Sequence, residues 1–135
     1  MIDPARLLVS NALVQITFSA WFGVWLLYRL HLAGRRNGAR DLVAAHVDWI
    51  VLGLVQVAVG YGLERLRLDV AALPAILIAI AGWLNPVPYL ARGVGVNAFE
   101  YGGSIGQRLL ALLSATSAIS LVVGLTWITV ALVSA

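Results

Sequence analysis

The chain has 135 residues, of which 61% are hydrophobic and 11% are charged, and its mean hydropathy is +0.94. Because soluble domains are only about 45–50% apolar, this composition excludes a water-soluble fold and predicts an integral membrane protein. The absence of cysteine excludes disulfides and thiolate metal sites, and the nine arginines are scattered over short loops, which excludes a nucleic-acid-binding face.

Charged residues separate four long apolar stretches, which we interpret as transmembrane helices. Each stretch has about 22 residues or more, enough to cross a hydrocarbon core of about 30 Å at about 1.5 Å per residue. The alternating pattern typical of membrane β-strands is missing. The sequence therefore predicts one all-α domain over residues 1–135, an integral membrane four-helix bundle. The predicted spans are residues 7–28, 42–63, 70–91 and 109–133.

The arginines also predict the orientation of the bundle. The first and third loops carry six arginines, whereas the N-terminal segment and the second loop carry three. Since cytoplasmic loops are enriched in basic residues, we expect the first and third loops in the cytoplasm. The expected location is the bacterial inner membrane, with the lipid bilayer as the surrounding partner.

Polar residues gather at the membrane face of the first and third loops. His46 begins the second span, and Asn85 and Tyr89 end the third, so antiparallel helices place them at similar depth. Four loop residues can also reach this face, namely His31, Asn97, Glu100 and Tyr101. The polar residues of the opposite half are Asn11, Gln15 and Gln56. This one-sided cluster predicts a site near the face of the first loop.

His46 has two interpretations. A neutral imidazole is a common ligand of metals and of haem iron, and ionisable groups inside membrane spans are usually functional. A histidine near a helix end can also do no more than bond a headgroup or a carbonyl. Gly53 and Gly60 share its helical stripe with Trp49, and they leave a shallow groove that suits either a porphyrin edge or a closely packed helix.

Two further features of the spans affect this predicted site. Asp48 lies about 200° around the helix from the histidine, so the two side chains cannot share a face. We expect its carboxylate to reach water or Arg40, or to form a charge at a subunit boundary. In the third span, Pro86 and Pro88 remove backbone donors. The resulting kink can line a cavity, and Asn85 can repair the freed carbonyls.

Several of these residues together resemble one family. The shared pattern consists of Ala45, His46, Gly53, the G-W-x-N element formed by Gly82, Trp83 and Asn85, and Tyr89. It resembles the small four-helix membrane isomerases typified by styrene oxide isomerase, to which hydroxylaminobenzene mutase is similar. The likeness covers the second and third spans, and the chain length and four-span topology agree with it.

The resemblance implies a homotrimer that holds haem b between subunits, with His46 as the axial ligand of the iron. The other residues assigned to the haem pocket are Trp49, Gly53 and Trp83. Asn85 and Tyr89 would bind and orient the substrate. The implied reaction is a redox-neutral isomerisation of a small hydrophobic epoxide to a carbonyl compound, or of a related oxygenated substrate, with ferric iron as Lewis acid.

Two positions depart from the family pattern. Leu52 stands where the family commonly has an asparagine that helps hold the epoxide oxygen, and Asp48 replaces a small residue. The alternative functions are therefore a non-catalytic haem-binding, electron-transfer or sensing subunit and, with less support, a small multidrug transporter. His31 is the sole candidate for a second histidine ligand, and the first span lacks the acidic residue on which such transporters rely.

Overall fold

The computed structural model describes residues 2–98 and 103–135, in which every regular element is helical. The elements in chain order are α1 (Pro4–Leu27), which continues as a π-helical segment (Tyr28–Leu32), α2 (Ala39–Leu66), α3 (Ala72–Leu84), α4 (Val87–Gly93) and α5 (Ile105–Val133). Four helical stretches of the described residues are long and apolar enough to cross a membrane, and α3 and α4 together form the third. The predicted all-α fold with four helical stretches able to span a membrane is confirmed.

Three of the four helical stretches begin before the predicted spans because a charge ends an apolar stretch without ending the helix, whereas the third begins at Ala72, two residues after its predicted start. α1 begins at Pro4, where the Asp3 carboxylate accepts hydrogen bonds from the amides of Ala5 and Arg6 at 3.0 and 3.2 Å. At its other end α1 continues through the π-helical segment, so the prediction that His31 lies in the first loop is wrong. Caps and turns set the helix ends.

The third span is broken between α3 and α4. α3 ends at Leu84 and α4 begins at Val87, with Asn85 and Pro86 in the turn between them. Pro86 and Pro88 lack N–H groups, so neither can donate to the carbonyl one helical turn earlier. The predicted disturbance of the helix is confirmed, and it places Asn85 at the junction.

Glycines let α1 pack closely along α2. A Cβ on Gly53 would lie 2.6 Å from the Ile16 side chain, and a Cβ on Gly60 would lie 2.9 Å from the Val9 side chain. The groove predicted beside His46 is therefore filled by α1 within the chain, in agreement with the helix-packing interpretation of the two glycines.

α5 packs mainly on α3, through small residues. Its buried residues are Ala111, Ser117, Ser120 and Gly124. A Cβ on Gly124 would lie 2.7 Å from the Ile78 side chain, so the glycine permits the close approach of the two helices. The remaining faces of α5 expose apolar side chains, as lipid-facing helices do.

Candidate intramembrane site

The candidate site begins with His46, whose imidazole is held by α1. The buried Ser19 hydroxyl lies 2.9 Å from His46 Nδ1 and 2.9 Å from the His46 backbone carbonyl oxygen. Since the hydroxyl has one proton, two arrangements satisfy these distances: Ser19 donates to the carbonyl and accepts from Nδ1–H, or it donates to Nδ1. In the first arrangement Nε2 carries the free lone pair, which is the form of neutral imidazole that binds a metal.

The His46 ring packs against the backbone of α1 at Gly23. A Cβ at this position would lie 2.8 Å from His46 Cε1 and 3.2 Å from His46 Nε2, so the ring can occupy this space only beside a glycine. Val43, three positions earlier on α2, is 42% exposed, whereas His46 itself is half-buried. His46 is therefore partly exposed where α2 packs against α1.

An aromatic cluster adjoins this imidazole, formed by Phe18, Phe22, Trp25 and Trp49. The Phe22 ring centroid lies 6.4 Å from that of His46, 5.2 Å from that of Trp25 and 5.3 Å from that of Trp49. Trp49 is buried, and its Nε1–H has no hydrogen-bond partner among the described residues. Trp25 remains 41% exposed, so part of the cluster forms an apolar outer surface.

Asp48 lies on another side of α2 and binds the break in the third span. Asn85 Nδ2 donates to the Asp48 carboxylate at 2.6 Å. The Ser117 hydroxyl, which has one proton, lies 3.2 Å from the Ala81 carbonyl oxygen and 3.3 Å from Asn85 Oδ1. These contacts join α2, the α3–α4 junction and α5. Since the Asp48 carboxylate meets Asn85 while the His46 imidazole meets α1, the predicted separation of the two side chains is confirmed.

Two expectations about these polar groups need correction. The Asp48 carboxylate bonds the Asn85 amide and not Arg40, which is exposed, because this side of α2 faces the bundle and not the loop. Asn85 was expected to repair the carbonyls freed by the prolines, but its amide bridges helices instead. The ion pair of this region joins Arg92 and Asp41 at 3.4 Å, nearer the loops.

A chain of amides joins α1, α2 and α3. Trp83 Nε1 donates to Asn11 Oδ1 at 3.0 Å, and Asn11 Nδ2 donates to Gln56 Oε1 at 2.6 Å. Gln56 Nε2 donates to Gln15 Oε1 at 2.9 Å, and Gln15 Nε2 donates to the Trp49 carbonyl oxygen at 2.7 Å. Since an indole N–H can only donate and a carbonyl can only accept, the two ends determine the direction of every bond between them.

Gly82 provides the space for this amide chain. A Cβ at this position would lie 2.6 Å from Gln15 Oε1 and closer still to Gln56 Nε2. Each named residue of the G-W-x-N element therefore has a structural role: Gly82 makes room, Trp83 begins the chain and Asn85 binds the carboxylate of α2.

The sequence-based prediction missed the polar partners on α1. Asn11, Gln15, Ser19 and Gly23 recur every four residues, which places them along one face of a helix. That face binds the amides of α2 and the His46 ring. The spacing was available in the sequence and could have predicted the polar face of α1.

The remaining predicted site residues lie at separate places. Tyr89 is half-buried on α4, and Leu52 is buried on α2 with 7% of its surface exposed. His31 is exposed on the π-helical segment, about 12 Å of helix beyond the contact of α1 with the imidazole, at about 1.5 Å per residue. Glu100 and Tyr101 lie outside the described residues.

Within residues 2–98 and 103–135, no group of three or more histidine, cysteine, aspartate or glutamate side chains is placed to hold a metal ion. Haem iron differs in needing as little as one axial side chain, which His46 can provide. The chain matches no protein-family model, no curated protein and no solved structure. Only the chemistry of the site itself therefore supports a function.

Proposed function

We propose that this protein is a membrane haem b protein in which His46 ligates the iron through Nε2. The observation that carries this proposal is the pair formed by Ser19 and His46, because the Ser19 hydroxyl lies within hydrogen-bond distance of Nδ1 and can accept from Nδ1–H, which leaves the Nε2 lone pair free. Metal-ligating histidines almost always donate their other ring N–H to an acceptor, and we propose that Ser19 is this acceptor.

The surroundings of His46 suit a flat apolar group. Phe22 lies beside the imidazole, and Trp25 and Val43 are exposed on the same outer surface of the α1–α2 pair. Because this surface faces out of the single chain, we propose that another copy of the chain covers the cofactor. The proposed assembly is a homotrimer.

The proposed activity is a redox-neutral isomerisation of a small hydrophobic epoxide, or of a related oxygenated substrate, to a carbonyl compound. Bound ferric iron supplies Lewis-acid stabilisation of charge on the substrate oxygen, which is strongest in a dry site. Within one chain, Asn85 bonds on a different side of α2 from His46. We therefore propose that Asn85 and Tyr89 orient substrate at the cofactor site of a neighbouring copy, with the Asp48 carboxylate holding the Asn85 amide in place.

The visible spectrum of detergent-purified protein, expressed with adequate haem supply, tests the cofactor. We expect a Soret band in the ferric and ferrous forms, and its absence would contradict the proposal. His46→Ala should abolish the band, whereas His31→Ala, the matched control, should preserve it because His31 is exposed away from the imidazole. Loss of haem from His31→Ala would indicate two-histidine ligation. Turnover of styrene oxide or phenylhydroxylamine by the haem-loaded protein then tests the isomerase activity.

A second candidate function is a haem-binding subunit that transfers electrons or senses a ligand without isomerising a substrate. Two observations favour it. Leu52 is buried where the resembling family has an amide, and the Asn85 amide is already bonded to Asp48 and Ser117. Haem binding without turnover of either substrate would favour this second function.

A further inference from the structure

A cavity of about 930 Å³ lies at the membrane face opposite the first loop, between the start of α1 and the α2–α3 connection. Its apolar lining includes Val9 and Leu13 of α1 and Leu63 and Leu68 of the α2 end. The lining residues of α1 extend from Pro4 to Leu13, about 14 Å along the helix, which is nearly half of a hydrocarbon core of about 30 Å. The cavity therefore runs from the membrane interface into one leaflet.

The rim of this cavity carries both signs of charge. Arg6 and Arg67 are cationic, Glu64 and Asp69 are anionic, and all four side chains are exposed. Asp3 is a third anionic lining residue, and its carboxylate caps α1. Among residues 2–98 and 103–135, none of these five forms an ion pair with another side chain. A ligand that carries both a phosphate and an ammonium group would complement the charges of both signs on this rim.

Arg67 has a backbone conformation that favours glycine. Its φ is +53°, and it ends α2 by donating its N–H to the Glu64 carbonyl at 3.2 Å, while the Leu68 N–H donates to the Leu63 carbonyl at 3.1 Å. Glycine is the usual residue at such a helix end because it has no Cβ to strain the left-handed conformation. The side chain of this arginine lines the rim of the cavity.

We propose that the cavity binds an aminophospholipid, a lipid whose headgroup carries a phosphate and a primary ammonium. Arg6 and Arg67 bind the phosphate, Glu64 and Asp69 accept hydrogen bonds from the ammonium, and an acyl chain lies along α1. A primary ammonium has three N–H donors for these carboxylates, whereas a quaternary ammonium has none. The site is therefore selective among phospholipids and does not merely attract anionic headgroups.

Native mass spectrometry of the detergent-purified protein tests this proposal, by titration with phosphatidylethanolamine, phosphatidylcholine and phosphatidylglycerol that have identical acyl chains. Phosphatidylethanolamine should bind most tightly. Arg67→Gly should weaken its binding about fivefold, the effect expected for one basic residue at a membrane surface. The helix should persist, since glycine suits this backbone position. Arg65→Gln is the matched control, because Arg65 lies in the same helical turn but does not line the cavity.

Two further variants separate the halves of the headgroup. Arg6→Gln removes the proposed contact between α1 and the lipid phosphate, so weaker lipid binding by this variant tests that contact independently of any effect of Arg67→Gly on folding. Glu64→Gln should reduce the preference for phosphatidylethanolamine over phosphatidylglycerol. Equal binding of the three lipids, tighter binding of phosphatidylglycerol, or unchanged binding by both arginine variants would overturn the proposal.

Discussion

Replacing Gln15 and Gln56 by leucine, singly and together, tests whether the buried amide chain acts as one unit. Both glutamines are fully buried, and leucine has a similar volume, so the substitutions change hydrogen bonding more than packing. Gln15→Leu removes the bonds to Gln56 and to the Trp49 carbonyl, and it leaves Gln56 Nε2–H without an acceptor. Gln56→Leu leaves Asn11 Nδ2–H without its acceptor and the Gln15 Oε1 atom without its donor, while Asn11 Oδ1 keeps its bond from Trp83.

The expected loss of unfolding free energy follows from the number of polar groups that each substitution leaves without a hydrogen-bond partner. A buried unsatisfied polar group costs about 1–3 kcal/mol, whereas interhelical hydrogen bonds in membrane proteins average only about 0.6 kcal/mol. We therefore expect each single substitution to lower the free energy of unfolding by about 1–2 kcal/mol. The double variant leaves only Asn11 Nδ2–H unpaired. Its loss of unfolding free energy should therefore be smaller than the sum of the two single losses by about 1 kcal/mol.

The assay is reversible unfolding in mixed micelles with increasing sodium dodecyl sulfate, followed by far-ultraviolet circular dichroism. Thr17→Val, at an exposed position on the same helix, is the control and should change the unfolding free energy by less than about 0.5 kcal/mol. If the losses for Gln15→Leu and Gln56→Leu add to within about 0.5 kcal/mol, the two amides act independently and the reasoning is refuted.

Three other substitutions test the neighbouring groups. Gly82→Ala should lower the unfolding free energy by about 1–3 kcal/mol because its Cβ would displace the buried amides. Gly62→Ala, where a Cβ meets nothing within 4 Å, should not lower it. Equal unfolding free energies for the two variants would contradict this contrast. Ser19→Ala should weaken haem binding about 10–100-fold in a haem titration by releasing His46 Nδ1, and unchanged affinity would argue against the proposed tautomer. Leu52→Asn should raise any weak turnover of styrene oxide per bound haem, and no change or a decrease would indicate a different chemistry at this position.

The spans could be predicted from the sequence because lipid imposes a local rule. A segment in the bilayer must satisfy its own backbone hydrogen bonds and carry few charges, and both conditions can be read residue by residue. The helix ends could not be read in the same way. The caps formed by Asp3 and Ser104 lie outside the apolar stretches, and the π-helical segment continues past Arg29.

The partners of the polar side chains depend on how the helices are rotated and aligned, which hydropathy does not determine. The rotation of about 200° around the helix axis between His46 and Asp48 correctly predicted that their side chains lie on different faces of α2. It could not choose between Arg40 and Asn85 as the partner of Asp48, because that choice depends on the position of α4 beside α2. Ser19 was predictable in part, since its four-residue spacing from other polar residues marks one face of α1.

The placement of His46 and Asn85 on different sides of α2 has a genetic consequence. In an assembly where the cofactor at one copy's His46 is completed by the next copy's Asn85, no single chain contains a whole site. Chains without His46 and chains without Asn85 are then complementary. In a ring built from both kinds of chain, at least one interface has His46 from one chain and Asn85 from its neighbour. Two variants that are inactive alone would regain part of their activity when coexpressed. Each α2 would then lie between two neighbouring sites and contribute to both.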